Sequence, residues 1–287
     1  MAEKINVMVS GLPGNMATKA AEHVLKQEDM ELLPIALAGK RCKIGDTVKI
    51  GTLEVVLYRL AQHEKALTLA RNMYEKFVIV DYTHPNAVND NASFYCDNGI
   101  PFVMGTTGGD RALLVDTVNK SDVVAVIAPN MAKQIVAFQA MMEYAAETFP
   151  KVFKGYHLEI KESHQAGKAD TSGTAKAMAG YFNKLGIPFT KDQIAMERDP
   201  VEQQLRWKVP LNHISGHGWH TYTLESKDGT VFFQFTHNVN GRDIYGQGTL
   251  DAIRFLNQVV NSTAPAPKGQ GVMFDMIDVL SGSILLS

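Results

Sequence analysis

Near its N-terminus the chain reads INVMVSGLPGNMATKAAEHVLK, and this stretch limits the available folds more than any other. Ile5 to Ser10 has the short apolar pattern of a buried strand. From Met16 onward, Ala20, Ala21 and Val24 recur at helical spacing. Gly11 and Gly14 stand between the two elements. A strand, a glycine turn and a helix N-terminus make the phosphate-binding corner of a dinucleotide fold, because free backbone N–H groups face a pyrophosphate there. The match to the Gly-x-Gly-x-x-Gly turn is incomplete: Gly11 fills the first place, Pro13 the second and Met16 the third. Any tight turn also uses glycine, so this stretch alone leaves an ordinary turn open. Its cofactor candidates are Gly11, Pro13, Gly14, Asn15 and Met16.

The segments after this turn strengthen the nucleotide reading. ELLPIALAG (31–39), FVIVDYTHP (77–85), IPFVMGTTG (100–108) and DVVAVIAPN (122–130) are further strand patterns, with helical patterns at AVNDNASFYCDN and RALLVDTVNK. Apolar strands alternating with helices are the sequence form of a parallel sheet covered on both faces. Ligands of such sheets gather outside the carboxyl ends of the strands. Those ends carry Tyr82 and Thr83, then Gly105, Thr106 and Thr107, then Pro129, Asn130 and Met131. Small and polar residues suit a backbone-lined cofactor cleft, although each one singly is ordinary loop chemistry.

Beyond about residue 131 the organisation changes. MAKQIVAFQAMMEYAAETF is an apolar helix, GYHLEIKES an alternating strand, and SGTAKAMAGYFNKLG a helix ended by Gly186 and Pro188. HTYTLESKDGTVFFQFTHNV reads as a hairpin about Lys227-Asp228-Gly229. YGQGTLDAIRFLNQVV is a further helix, NSTAPAPKGQG a Pro/Gly-rich loop, and VMFDMIDVL closes the chain. The 287 residues therefore divide into a Rossmann-type α/β domain and an α+β domain.

Between that alternating strand and its helix lies ESHQAGKADTSGTA (162–175), a loop whose composition core packing does not explain. Thr171 or Ser172 suits an N-cap, and the amides of Ser172, Gly173 and Thr174 then open a helix ready for a carboxylate or phosphate. Lys168 adds a fixed cation, His164 a group able to exchange protons near neutral pH, and Glu162 and Asp170 two acids to orient them. A capped helix with a solvated loop accounts for Asp170, Thr171 and Ser172, but not for His164 with Lys168. A reducible carboxylate substrate fits: the helix anchors the anion, a nicotinamide gives hydride and the loop gives a proton.

Composition narrows the partners. A net charge of −2 gives no general attraction to nucleic acid or an anionic membrane. Cys42 and Cys96 lie in no ligand spacing and suggest free thiols in a reducing compartment. The N-terminal apolar run is too short for a signal peptide and no segment is long enough to span a bilayer, so a soluble intracellular protein is expected. His213, His217 and His220 invite a metal reading, but no acid or cysteine stands among them in sequence, and none is assigned.

The loop 162–175 resembles the signature of the 4-hydroxy-tetrahydrodipicolinate reductase (dihydrodipicolinate reductase) family, E-x-H-H-x-x-K-x-D-x-P-S-G-T-A. The similarity continues through the Gly11-to-Met16 turn, Gly105-Thr106-Thr107, Pro129-Asn130, GWH at 218–220, THNVNGR at 236–242 and the terminal FDMIDVL. Departures include Gln165 for the second His, Thr171 for the Pro, Asn15 for the Arg of the glycine turn and His84 for the Arg after the third clear strand. They place the pattern nearer the plant and cyanobacterial branch. The resemblance implies NAD(P)H-dependent reduction of a cyclic dicarboxylate on the diaminopimelate route to lysine, by a cytoplasmic or plastid homodimer or homotetramer. It also implies that the last segment returns to the nucleotide domain, giving domains 1–131 plus 243–287 and 132–242. By that resemblance His164 and Lys168 handle the proton, while Gln165, Ser172, Gly173 and Thr174 hold substrate. His237 and Arg242 are weaker candidates for its other carboxylate or for the linker.

Cofactor choice has its own signal in ALAGKRCK at 36–43. An acid at the end of the second strand would accept from the ribose 2′-hydroxyl of NADH and repel a 2′-phosphate. None stands there. The strand runs through Gly39 into Lys40 and Arg41, so NADPH is expected to be preferred and NADH possible. A semialdehyde dehydrogenase would need an activated cysteine, and a sensor that had lost its chemistry would not keep Lys168 and His164.

Overall fold

The computed structural model describes residues 3–262 and 269–282. Residues 263–268 of the Pro/Gly-rich loop lie outside them. Two compact units result, one running to Lys133 and resuming at Asp243, the other Gln134–Arg242.

The first unit holds β1 (Ile5–Ser10), α1 (Asn15–Leu25), β2 (Met30–Ala38), β3 (Thr47–Ile50), β4 (Leu53–Arg59), α2 (His63–Met73), β5 (Val78–Asp81), α3 (Val88–Asp97), β6 (Phe102–Met104), α4 (Arg111–Asn119) and β7 (Val124–Ile127). After the second unit the chain adds α8 (Asp243–Ser262), β12 (Val272–Phe274) and α9 (Met276–Ser281) to it. Its eight strands run in the order β12-β7-β6-β5-β1-β2-β4-β3, parallel except where β3 pairs antiparallel with β4. Buried on both faces, the central strands are apolar throughout rather than alternating. Met8, Leu37, Ile79, Phe102 and Ile127 pack with Ala66, Leu67, Val88 and Ala92 into one core.

Three features depart from the sequence expectation. β5, β6 and β7 are shorter than the apolar runs that announced them, because each stops pairing where its neighbour stops and the remaining residues form the carboxyl-end loops. The β3–β4 hairpin and α2 fill residues 47–73, where the sequence pattern announced no element. The hairpin turns at Gly51, whose φ of 58° falls in the left-handed region where glycine is free of a Cβ penalty.

The second unit contains α5 (Lys133–Thr148), β8 (His157–His164), α6 (Gly173–Lys184), β9 (Ala195–Glu197), α7 (Pro200–Leu205), β10 (His217–Glu225) and β11 (Phe232–Asn240). Its sheet order is β11-β10-β8-β9, with β8 and β9 parallel and the other pairs antiparallel. One face packs Ile160, Tyr222 and Leu224 against Met178, Ala179 and Phe182 of α6. β9 and α7 lacked a legible signal, since β9 is three largely exposed residues. No described helix is long and apolar enough to cross a membrane.

Candidate active site

In the first unit the carboxyl ends of β1, β5 and β6 form one connected corner. Gly11 has φ 107°, and a Cβ there would run into the Tyr82 carbonyl. Its N–H donates to Leu37 O at 2.8 Å, and its carbonyl accepts from Gly14 N–H at 2.8 Å. α1 begins at once, with Gly14 as N-cap, no side-chain cap and no acid in its first turn. The exposed residues Pro13, Gly14 and Asn15, with half-buried Met16, therefore lead into uncapped helix amides. Gly11→Ala is expected to displace this turn and weaken both nicotinamide nucleotides at least tenfold, an order set by losing one charge-assisted contact (about 1.5–3 kcal/mol). Nucleotide titration beside a thermal melt checks this; unchanged binding would remove the turn from the cofactor site.

Asp81, fully buried at the end of β5, organises the neighbouring loops. Oδ1 accepts from the Thr83 amide at 3.1 Å, the Thr83 hydroxyl at 2.9 Å and the Thr106 hydroxyl at 2.6 Å. Oδ2 accepts from Asn91 at 2.8 Å and Tyr95 at 2.7 Å. Thr83 and Thr106 are thus fixed by a carboxylate that no motif pointed to. Tyr82 bonds Thr249 of α8 at 2.5 Å, and its ring lies where a Cβ on Gly105 would fall. Thr107 and Pro129 are exposed, Met131 is buried, and Asn130 Oδ1 accepts from the Ala132 amide at 3.0 Å. Past β2, Lys40 and Arg41 are exposed, while buried His63 fixes the strand end through Ala38 O at 3.1 Å.

In the second unit the loop 162–175 is built on a buried carboxylate. Glu162 has no exposed side-chain surface; Oε1 accepts from Arg198 Nη2 at 2.5 Å and Oε2 from the Ser172 amide at 3.0 Å. His220 Nε2 lies 3.7 Å from Oε2 and His164 Nε2 4.0 Å. Burial alone would raise this carboxyl, but His220, Arg198 and the Ser172 amide outweigh it and hold it at about 2. Arg198 also donates to Lys168 O at 2.8 Å and Asp170 O at 3.3 Å, so one guanidinium fastens the loop at three points. Sequence reasoning missed Arg198, which follows a short edge strand with no periodic or motif signal.

Ser172 is the N-cap of α6: its hydroxyl accepts from Ala175 N–H at 3.0 Å and also contacts His220 Nε2 at 2.8 Å. Its amide is taken by Glu162, so of the three amides expected to hold an anion, only those of Gly173 and Thr174 remain open at the helix start. Lys168 Nζ lies 2.7 Å from Asp170 Oδ1, with Asp170 73% exposed. A turn closed by Lys168 N–H on Gln165 O at 2.9 Å carries the lysine.

His164 ends β8. Burial, with nearby His220, lowers it to about 4, and Glu162 only partly offsets this. Its Nδ1 is 3.1 Å from His217 O, so a neutral ring donates there and leaves Nε2 as a bare acceptor, buried without a partner. His237 stacks on His220 at 4.7 Å between centroids and is likewise pushed to about 4, first by burial and then by His220. Arg242 follows β11, near Gly216.

His217 spends Nε2 on Ser163 Oγ at 2.8 Å, with Nδ1 3.2 Å from Ile214 O, a packed core histidine. The acid missing in sequence from the His213–His220 run is supplied in space by Glu162. Glu162, His164 and His220 bring possible ligand atoms within 4.8 Å, but the carboxylate already carries a guanidinium that a metal ion would have to displace.

The family model described as dihydrodipicolinate reductase, N-terminus, matches residues 5–131, and that for the C-terminus matches 134–280. The chain belongs to the dihydrodipicolinate reductase family. The Arabidopsis thaliana chloroplastic 4-hydroxy-tetrahydrodipicolinate reductase 2 is 46% identical over 96% of this chain and 77% of its own. A 4-hydroxy-tetrahydrodipicolinate reductase of Synechocystis is 30% identical over 87% and 92%, respectively. The two values set this dihydrodipicolinate reductase family member nearer the plant sequence. A dipicolinate-bound dihydrodipicolinate reductase from Paenisporosarcina shares the fold, with a TM-score of 0.63 at 21% identity over 94% of this chain and 98% of that one.

Proposed function

We propose that this chain reduces 4-hydroxy-tetrahydrodipicolinate to tetrahydrodipicolinate, with NADPH as preferred hydride donor. The observation that carries the reading is the loop 162–175, where a lysine, a neutral histidine acceptor and two open helix amides stand together on one buried carboxylate. The amides of Gly173 and Thr174 bind one substrate carboxylate with the α6 dipole behind them. Exposed Asp170 neutralises Lys168 in the free protein and gives way to a second anion. Gln165 donates a neutral hydrogen bond nearby.

The 4-hydroxyl of the substrate leaves as water, which puts a ring C=C in conjugation with the C=N, and a bound nicotinamide would supply hydride to that double bond. The ring atom next to the one receiving it needs a proton, and Lys168 Nζ provides it. His164 is neutral at physiological pH and its one ring proton is given to His217 O, so it does not deliver the proton. In the other unit the uncapped start of α1 and the glycine at Gly11 suit a pyrophosphate, which is why the residues present fit a dinucleotide.

Lys40 and Arg41 select the phosphorylated cofactor. Replacing both by Ala is expected to weaken NADPH tenfold or more, from about 1.5 kcal/mol for one charged contact, while NADH changes little. Titration of both nucleotides decides it; parallel losses would make the loop structural only.

The exposed edge strand β11, carrying Phe232 and Phe233 at 61% and 40% exposure, suits a homo-oligomer contact. The chloroplastic names of the plant relatives support a plastid as the place of work. Supplying the product of the synthase that makes this substrate and following NADPH absorbance tests the activity. No NADPH consumption would overturn it.

A further inference from the structure

Arg59 ends β4 with a guanidinium that the protein itself does not satisfy. Its Nε is shut from solvent and has no hydrogen-bond partner among the described residues. An enclosed donor without an acceptor is uncommon and calls for an explanation.

Its place in the sheet supplies one. β4 runs parallel to β2, with Arg59 level with Ala38, so both lie at the carboxyl edge. Side chains alternate between the faces of a strand. Leu37 and Tyr58 lie on the face that packs Ala66, Leu67 and Ala70 of α2. Ala38 and Arg59 therefore point to the opposite face. That is the α1 side, where the helix starts from the Gly11 turn and packs on β1 and β2. Immediately past Ala38, a Cβ on Gly39 would meet nothing within 4 Å, and the exposed cations Lys40 and Arg41 follow. The unsatisfied guanidinium thus stands at the carboxyl edge level with Ala38, the residue from which the chain runs on to the exposed Lys40 and Arg41, and two strands outward from β1 and its phosphate corner.

We propose that Arg59 is a further specificity-determining residue of the cofactor site, giving its guanidinium to the 2′-phosphate of NADPH alongside Lys40 and Arg41. The proposal rests on the reductase reading above. A planar guanidinium binds two phosphate oxygens at once, which a lysine does not. The phosphate then meets the outer nitrogens of the half-buried arginine and gives its guanidinium an anion to pair with.

The test titrates NADPH, NADH, 2′,5′-ADP and 5′-AMP against wild type, Arg59→Met and Arg59→Lys. Met keeps the apolar stem of arginine and removes the donors. Arg59→Met should bind NADPH and 2′,5′-ADP about tenfold or more weakly, as for loss of a charged contact. NADH and 5′-AMP should change less than about twofold by the same reasoning, since neither carries the phosphate. Arg59→Lys should fall between. Without nucleotide the Met variant should melt no lower than wild type, because it loses no native hydrogen bond, while its stabilisation by NADPH shrinks. Equal losses for NADPH and NADH would show Arg59 serving the adenine or the fold and overturn the proposal. So would unchanged NADPH binding. If Arg59→Met does not fold, that melt already contradicts the proposal, and Arg59→Lys still has to lose NADPH selectively. Failure of the underlying reading looks different: wild type itself would bind neither nucleotide.

Discussion

Lys168→Ala is expected to lower kcat/KM for the reduction by about 10²–10⁴-fold, the range for removing a positioned general acid. Part of the loss is binding, because a charge-assisted hydrogen bond worth about 1.5–3 kcal/mol disappears with it. On the proposed mechanism this is the largest catalytic effect in the loop, for the ring proton of the histidine there is committed elsewhere. His164 is held at about 4, and the proton of its neutral ring points at His217 O. Lys168→Arg separates the two roles. It keeps a cation for the substrate carboxylate, but arginine does not give up a proton at neutral pH. KM should therefore recover with Arg more than kcat does. NADPH binding to the free protein should be untouched in both variants. Near-normal turnover of Lys168→Ala at saturating substrate would reduce Lys168 to a binding residue.

Legibility in the sequence depended on the physics of each signal. The parallel sheet could be read because its central strands are buried on both faces and carry unbroken apolar runs, as in Val78–Asp81 and Val124–Ile127. β3 and β9, short and half in solvent, have no such run to find. Lys168, Ser172 and Gly173 were visible because residue type and order within one loop already state their chemistry. Arg198 and His220 were not, since they reach Glu162 only across the sheet and from the chain after it. The fate of the Ser172 amide was hidden for the same reason. N-cap preference opens the amides of a first turn, but it does not tell which one a buried carboxylate takes. Arg59 was passed over because its significance lies in lacking a partner, and a sequence does not display missing partners.

The contact most exposed to a single change is the one under the loop. Glu162→Gln keeps the side-chain volume but sets an NH2 group against either the Arg198 guanidinium or the Ser172 amide, both of them donors. Removing one member of a buried ion pair costs about 3–5 kcal/mol, because the partner charge stays enclosed. At about 2–4 °C per kcal/mol for a protein of this size, the melting temperature of the protein should drop by roughly 10 °C. The pH dependence distinguishes this from generic damage. Glu162 is held at about 2 against an ordinary 4.5, so its contribution is complete above about 4.5 and disappears as pH falls toward 2. The stability gap between wild type and Glu162→Gln should then be constant from pH 7 to 5 and narrower by about 1 kcal/mol at pH 3.5. Wild type loses stability earlier for a separate reason. His164 and His237, depressed from 6.5 to about 4, favour the unfolded chain once it protonates them below 6.5. That decline is largely shared by the variant, whose histidines remain buried, so it cancels in the difference. Catalysis should fall along with stability, since Arg198 and Ser172 both release the loop that carries Lys168. Denaturant titrations at pH 7, 5 and 3.5 measure the gap directly. A variant as stable as wild type at pH 7, or a gap that does not close in acid, would mean that Glu162 is not the anchor of the site.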